Sequence, residues 1–431
     1  MQKFNLAKIK KVLSAASETD FYSRLFKCNG IDIKEINDYN SFCSIPITTK
    51  AEYRENKYDF IHNNIKKRLE IDKLKYCVND FKTCDRLLGR AGLDMVITSG
   101  STGLPLEVIH SAKDNYRNYI SLNHYRRTWS GFNISDKYIW ILPMNEKTKR
   151  IFYSADIKYL KENNGIQYFL ANYEDSNLEE LHNLIVSEMP GWITGSPMAV
   201  ASYAGYLLKH NLFYKFKYIE LHSEPCLNWQ AKAIKAVLGD QISCVYSSNE
   251  INFIAASREC GHLHILEDNV FVELIPSIQQ GIQSKKVVVT GLNYFDTPMI
   301  RYEIGDLAEE VVCETIKTPA LRLTGYRDSD MIYLEDGTIC EPYIIYDSIF
   351  FLNSEFKVDV EIYQVIQIHF NVFQYKINNA MTKQQQQQFT EFLEEFLCIS
   401  LKQKVYVKIE KFSNNELKVN SKYKRFATMV R

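Results

Sequence analysis

Residues Val96–Pro105 read VITSGSTGLP, an apolar strand-like approach running into a dense glycine, serine and threonine loop. Such a loop can fold its backbone N–H groups and hydroxyls around phosphate oxygens, and it can equally be a plain structural turn. It has no lysine at the place that GxxxxGK[ST] requires, and GxGxxG is absent, so neither the P-loop nor the dinucleotide fingerprint applies. After Pro105, LEVIH reads as a returning strand and SAKDNYRNYISLNHYRRTWSGF as a helix. The strand–loop–strand setting differs from the strand–loop–helix of dinucleotide folds. On that helix, His124, Arg126 and Arg127 face either a substrate or the sheet against which an aromatic helix ordinarily packs.

Outward from this loop, 431 residues with 46% apolar content allow two or three domains with a substantial core. Basic and acidic residues number 52 each, which removes a global electrostatic case for nucleic acid or an anionic membrane. No run approaches a membrane-spanning length, and the start lacks the long apolar stretch of a secretion signal, so integral membrane association is not expected. Ten cysteines, at 28, 43, 77, 84, 226, 244, 260, 313, 340 and 398, form no CxxC pair or compact disulfide framework. Reduced thiols in the cytoplasm fit that spacing.

Strand and helix signals alternate from YIWILPM through NLEELHNLIVSEM, PGWITGSPMAVASYAGYLLKHN and KYIELHSEPCLNWQAKAIKAVLG, which predicts a large α/β domain. CGHLHILEDNVFVELI reads as a hairpin turning at Asp268–Asn269, VVVTGL as a buried strand, and MIRYEIGDLAE as a strand ending at Gly305–Asp306. The last hundred residues change character. FKVDVEIYQVIQIHFNVFQYKIN alternates with period two, and TKQQQQQFTEFLEEFLCI reads as a helix capped by Thr382 with a stripe of Phe389, Phe392, Leu393, Phe396 and Leu397. QKVYVKIEKF completes a β–β–α–β unit.

TSGSTGLP resembles the phosphate loop of adenylate-forming enzymes, in particular the phenylacetate–coenzyme A ligase-like and capsular polysaccharide biosynthesis protein-like branch. IPITTK, with a helix start near Thr48–Thr49, resembles the PxTTK segment that precedes this loop, and Lys50 faces either nucleotide or solvent. The likeness runs from about Pro46 to Arg425. It implies a large multi-layer adenylate-forming domain over 1–328 and a small mobile α+β lid over 329–431.

The residues that the resemblance assigns follow its motifs. Ser99, Gly100, Ser101, Thr102 and Gly103 cradle phosphate. Ser223, Glu224 and Pro225 stand where the family has Gly-Glu-Pro lining the adenine pocket. Tyr246 and Glu250 of YSSNE match Tyr-Gly-x-x-Glu, the ring stacking on adenine and the carboxylate holding magnesium. Asp306 matches Arg-Tyr-x-x-Gly-Asp-Leu and accepts the ribose hydroxyls, with Arg327 reaching ribose or phosphate. The family's hinge aspartate falls on Ser329, and Lys422 of NSKYKR takes the place of the mobile lysine. Glycines are replaced at Ser223, Ser247, Tyr326 and Ser421.

The resemblance implies that a carboxylate attacks ATP to give an acyl adenylate and pyrophosphate, with Thr102, Glu250 and Lys422 the catalytic residues. ATP and Mg2+ are the expected cofactors, coenzyme A or another nucleophile the acceptor, and an aromatic or other hydrophobic acid is compatible with the aromatic content. Two other readings stand beside it: an ATP- or adenylate-binding protein with reduced turnover, and a phosphotransferase, which the missing Walker lysine disfavours. Some relatives bind structural zinc through a cysteine/histidine cluster and a later CxCG. This chain offers Cys260, His262, His264 and Cys313, but VVCETIK has no second cysteine, so free cysteines and histidines are expected there and zinc is not.

Overall fold

The computed structural model describes residues 2–76, 81–97, 106–131, 133, 135–143, 157–226, 228–279, 282–327, 332–340, 343–358, 360, 363–378, 381–411 and 426–430. The phosphate loop Ser99–Gly103, the hinge position Ser329 and Lys422 lie outside the described residues.

A 12-stranded sheet dominates the chain up to Arg327. In one half, the strands Ile242–Ser248, Tyr218–His222, Trp192–Gly195, Tyr138–Pro143 and Gly165–Leu170 run parallel in that spatial order. The helices Asp175–Glu188, Pro197–Lys209 and Asn228–Val237 supply crossovers, as parallel strands require. Their apolar faces close a core around Ile139, Ile141, Ile193, Ile219 and Leu207. The other half is antiparallel, from Asn252–Ser257 through Leu263–Ile265, Ala320–Arg327, Tyr302–Val311 and Ile282–Gly291 to Val270–Gln279. N-terminal helices pack on it through Ile9, Leu13, Tyr22 and Phe42.

Two expectations are corrected here. CGHLHILEDNVFVELI does not form a hairpin: Leu263–Ile265 pairs with Asn252–Ser257 and Ala320–Arg327, whereas Val270–Gln279 pairs with Ile282–Gly291. The turn is held elsewhere, because Leu266 N–H donates to Ile254 and the buried Asn269 side chain donates to the Phe253 carbonyl at 3.1 Å. Asp306 is not at a strand end either. It sits inside Tyr302–Val311, where the register with the neighbouring strand shifts between Asp306 and Ala308 and Gly305 has φ +85.

Arg126 faces the sheet. Its guanidinium is buried on Glu220, with Nε 2.7 Å from Oε2, and lies over the Trp192 ring.

A separate core gathers from Ile332 to Phe426 around a four-stranded sheet and the helix Lys383–Leu401. Thr382 caps that helix in a capping box with Gln385, and Phe389, Leu393 and Leu397 are fully buried while Phe392 and Phe396 are half-buried. The β–β–α–β unit gains Phe426–Thr428, parallel to Tyr363–His369. Among the described residues no helix is long and apolar enough to cross a membrane.

Candidate active site

Tyr246 is carried by Ile242–Ser248, the strand on which the parallel half of the sheet meets the antiparallel half. In open α/β sheets the crevice beyond the carboxyl ends of parallel strands is where ligands bind. The Tyr246 hydroxyl donates to Asp306 Oδ2 at 2.8 Å, and the backbone of Asp306 pairs with that of Arg327. Three sequence-predicted positions thus come together from three strands. Ser247 replaces a family glycine at a bulge, between Tyr246 and Ser247, and its φ is not positive, so a side chain is tolerated there.

Glu250 lies in the turn that follows, with its carboxylate almost wholly buried. Oε1 accepts from the Tyr302 hydroxyl at 3.2 Å and lies 3.3 Å from Lys50 Nζ. Burial, reinforced by Glu250, drives the Tyr302 phenol far above its ordinary range, so it remains a donor. Lys50 is the first residue of the helix Lys50–Asn56, capped by Thr49 in a capping box with Glu52. A parallel bridge between Thr48 and Tyr302 fixes that helix start against the Asp306 strand. The Lys50 ammonium therefore reaches across Gly305, where a Cβ would stand 3.8 Å from Nζ. Sequence reading left Lys50 between nucleotide and solvent; the structure puts it on Glu250. The PxTTK match was the signal. Tyr302 was missed, though it stands three residues before Gly305.

The two strands flanking the phosphate loop, Leu93–Ile97 and Glu107–Ser111, pair antiparallel. His110 on the second bonds through Nε2 to the Asn249 carbonyl at 2.6 Å, docking this hairpin on the Glu250 turn. Burial holds the imidazole below its usual pKa, against the opposing pull of Asp94 and Glu250. The returning strand ends in Ser111, which caps the helix Ala112–Ser130.

Ser223 has φ +79, a left-handed backbone that suits the glycine it replaces, and its hydroxyl bonds to His222. Glu224 Oε1 accepts from Met198 N–H at 3.2 Å, anchoring the loop to the start of Pro197–Lys209. Arg301, which opens the ribose-aspartate motif, is also structural. Its guanidinium forks onto Glu273, both contacts 3.0 Å, and donates to the carbonyls of Cys43 and Ile45.

Away from this crevice, Cys260, His262 and Cys313 place their ligand atoms within 4.8 Å of one another. Cys260 and Cys313 are free cysteines, as expected, and the loop after Tyr302–Val311 folds back to the turn before Leu263–Ile265.

No family model matches the chain. Protein CapK of Staphylococcus aureus is 24% identical over 298 residues, 68% of this chain and 59% of CapK. The chain thus matches CapK over less than two thirds of that relative's length. Among solved structures, 2-hydroxyisobutyryl-CoA ligase in its postadenylation state with R3-HIB-AMP is 14% identical, covers 99% of this chain and 88% of its own, and has a TM-score of 0.68. The same ligase in an open conformation with 2-HIB-AMP and CoA is 14% identical over 98% and 90% of the two chains, with a TM-score of 0.55. At this identity the likeness is one of fold: the chain shares the fold of this CoA ligase.

Proposed function

We propose that the chain activates a carboxylic acid with ATP, forming an acyl adenylate and releasing pyrophosphate, and then passes the acyl group to coenzyme A or another acceptor. The observation that carries this reading is the meeting of Tyr246, Asp306 and the Glu250–Lys50 pair beside the hairpin that leads into and out of VITSGSTGLP. The solved ligase with an adenylate and CoA supports it by fold.

No side-chain nucleophile is needed, because the acid is itself anionic; the protein positions it and balances charge. A carboxylate oxygen attacks the α-phosphorus and the bond to the pyrophosphate oxygen breaks. The Tyr246 ring faces adenine, and Asp306 accepts ribose hydroxyls on Oδ1 while Tyr246 holds Oδ2. Arg327 reaches ribose or phosphate, and Ser99, Gly100, Ser101, Thr102 and Gly103 cradle phosphate. Glu224 and Pro225 support the adenine side through the loop backbone. Both contacts to Glu250 fall on Oε1, so among the described residues Oε2 is the oxygen left for a cation. That suits Glu250 to hold Mg2+, which when bound neutralises charge on the phosphate oxygens. Lys422 approaches from the small domain, whose boundary we place at 328/329. The acid is aromatic or otherwise hydrophobic.

Product identification tests this: with ATP, Mg2+ and a panel of acids, the chain should release AMP and pyrophosphate only when an acid is present. ADP would point to phosphotransfer instead, and ATP binding without turnover to a nucleotide-binding protein.

A further inference from the structure

Cys260 lies in the turn between Asn252–Ser257 and Leu263–Ile265, and Cys313 lies in the loop that follows the strand Tyr302–Val311. Both cysteines are free, yet their sulfurs lie within 4.8 Å of each other and of a ring nitrogen of His262. A closed tetrahedral zinc site takes four ligands, and this group supplies three, with no second cysteine beside Cys313. What the fold brings together from two distant segments is a pair of reduced thiols. A disulfide sets its sulfurs about 2.05 Å apart, so the two must approach by less than about 3 Å. That movement is shared between a turn and a loop, not between paired strands.

The surroundings give the two thiols different chemistry. Cys313 Sγ accepts from the Ile316 N–H at 3.3 Å, a contact that favours thiolate, the nucleophilic form. Cys260 is half-buried, and its Sγ lies 3.1 Å from His264 Nε2. The other ring nitrogen of His264 is 2.7 Å from Thr318 Oγ1. With Nδ1–H donating to that hydroxyl, Nε2 is left as the acceptor for the Cys260 proton.

We propose that Cys313 and Cys260 form a peroxide-responsive thiol pair that closes into a disulfide. The Cys313 thiolate attacks one oxygen of hydrogen peroxide, the O–O bond breaks and hydroxide leaves, giving a sulfenic acid. Cys260 Sγ then attacks the Cys313 sulfur and the S–O bond breaks. The Cys260 proton passes through His264 to the departing hydroxide, which leaves as water. The two thiols lose two electrons and two protons in all, and one peroxide becomes two waters. The new bond ties the turn before Leu263–Ile265 to the loop after the strand that carries Asp306. The proposal is independent of the adenylation reading, because the bond is read without any turnover.

The test treats the full reduced chain with one equivalent of hydrogen peroxide, caps the remaining thiols with iodoacetamide and maps the peptides without reductant. A Cys260–Cys313 disulfide should form at least roughly 10-fold faster than any modification of the buried Cys84, and dithiothreitol should reverse it. Cys260→Ser should halt the reaction at a Cys313 sulfenic acid that dimedone traps, whereas Cys313→Ser should leave Cys260 without an adduct over the same time. A wild-type chain whose two cysteines stay unlinked under these conditions overturns the pair. So does a chain that carries one zinc and whose two thiols react only after a chelator removes it. Dimedone on Cys260 in Cys313→Ser, with none on Cys313 in Cys260→Ser, overturns the order of attack.

Discussion

The Tyr246 hydroxyl and Asp306 Oδ2 meet at 2.8 Å although the strands Asn252–Ser257, Leu263–Ile265 and Ala320–Arg327 lie between their own strands in the sheet. In a flat sheet four strand spacings separate them by about 19 Å, beyond the reach of any tyrosine. The sheet must therefore curl, and the short Leu263–Ile265 strand and the bulges at Tyr246/Ser247 and Asp306/Ala308 are where it does so. That curvature is what brings Tyr246 and Asp306 together.

Tyr246→Phe keeps the ring that we propose faces adenine and removes only this hydrogen bond. A hydrogen bond to a charged group contributes about 1.5 kcal/mol, so KM for ATP should rise roughly 10-fold with little change in the unfolding midpoint. Steady-state kinetics beside urea unfolding checks this; unchanged KM would remove the bond from the nucleotide site.

Glu250→Gln retains an acceptor for the Tyr302 hydroxyl and loses the charge that suits a cation. Adenylate formation should fall by about 100-fold or more, with the Mg2+ dependence flattened. A magnesium titration of the first step reads it. Unaltered magnesium dependence would confine Glu250 to pairing with Lys50.

Burial holds His110 below its usual pKa, so the unfolded chain takes up its proton first as pH falls. The stability that neutral His110 contributes is present above about pH 6.5 and is lost as pH drops through that value. His110→Gln should flatten the fall in unfolding free energy that sets in as pH drops below about 6.5. Equal slopes in wild type and variant would contradict it.

Ser223 holds φ +79. Ser223→Val should destabilise the chain by about 1–2 kcal/mol, because a β-branched residue resists left-handed backbone, whereas Ser223→Gly should be neutral or stabilising. Thermal unfolding of the two variants gives the order. The reverse order would show that the His222 hydrogen bond, not the backbone, sets the residue.

Much of this was legible in sequence because the signals were local. Thr49 and Thr382 each announce a helix start by a side chain that reaches three residues ahead, and both caps are present. The failures concern partners distant in sequence. The Asp268–Asn269 pair is good turn chemistry, yet nothing local says that Leu263–Ile265 must pair with Ala320–Arg327. Likewise VVCETIK lacks a second cysteine, and only the fold brings His262 to Cys313. Lys50 on Glu250 lies between: the motif flagged the lysine, and the bridge between Thr48 and Tyr302 decides where it points.

The most direct measurement is the acid-dependent exchange of radiolabelled pyrophosphate into ATP by the wild-type chain, with Asp306→Ala as its partner. The account expects exchange with at least one acid, none without acid, and a loss of about 100-fold in the variant. ATP binding with no exchange for any acid, or exchange unaffected in Asp306→Ala, would contradict the claim that this crevice forms acyl adenylates.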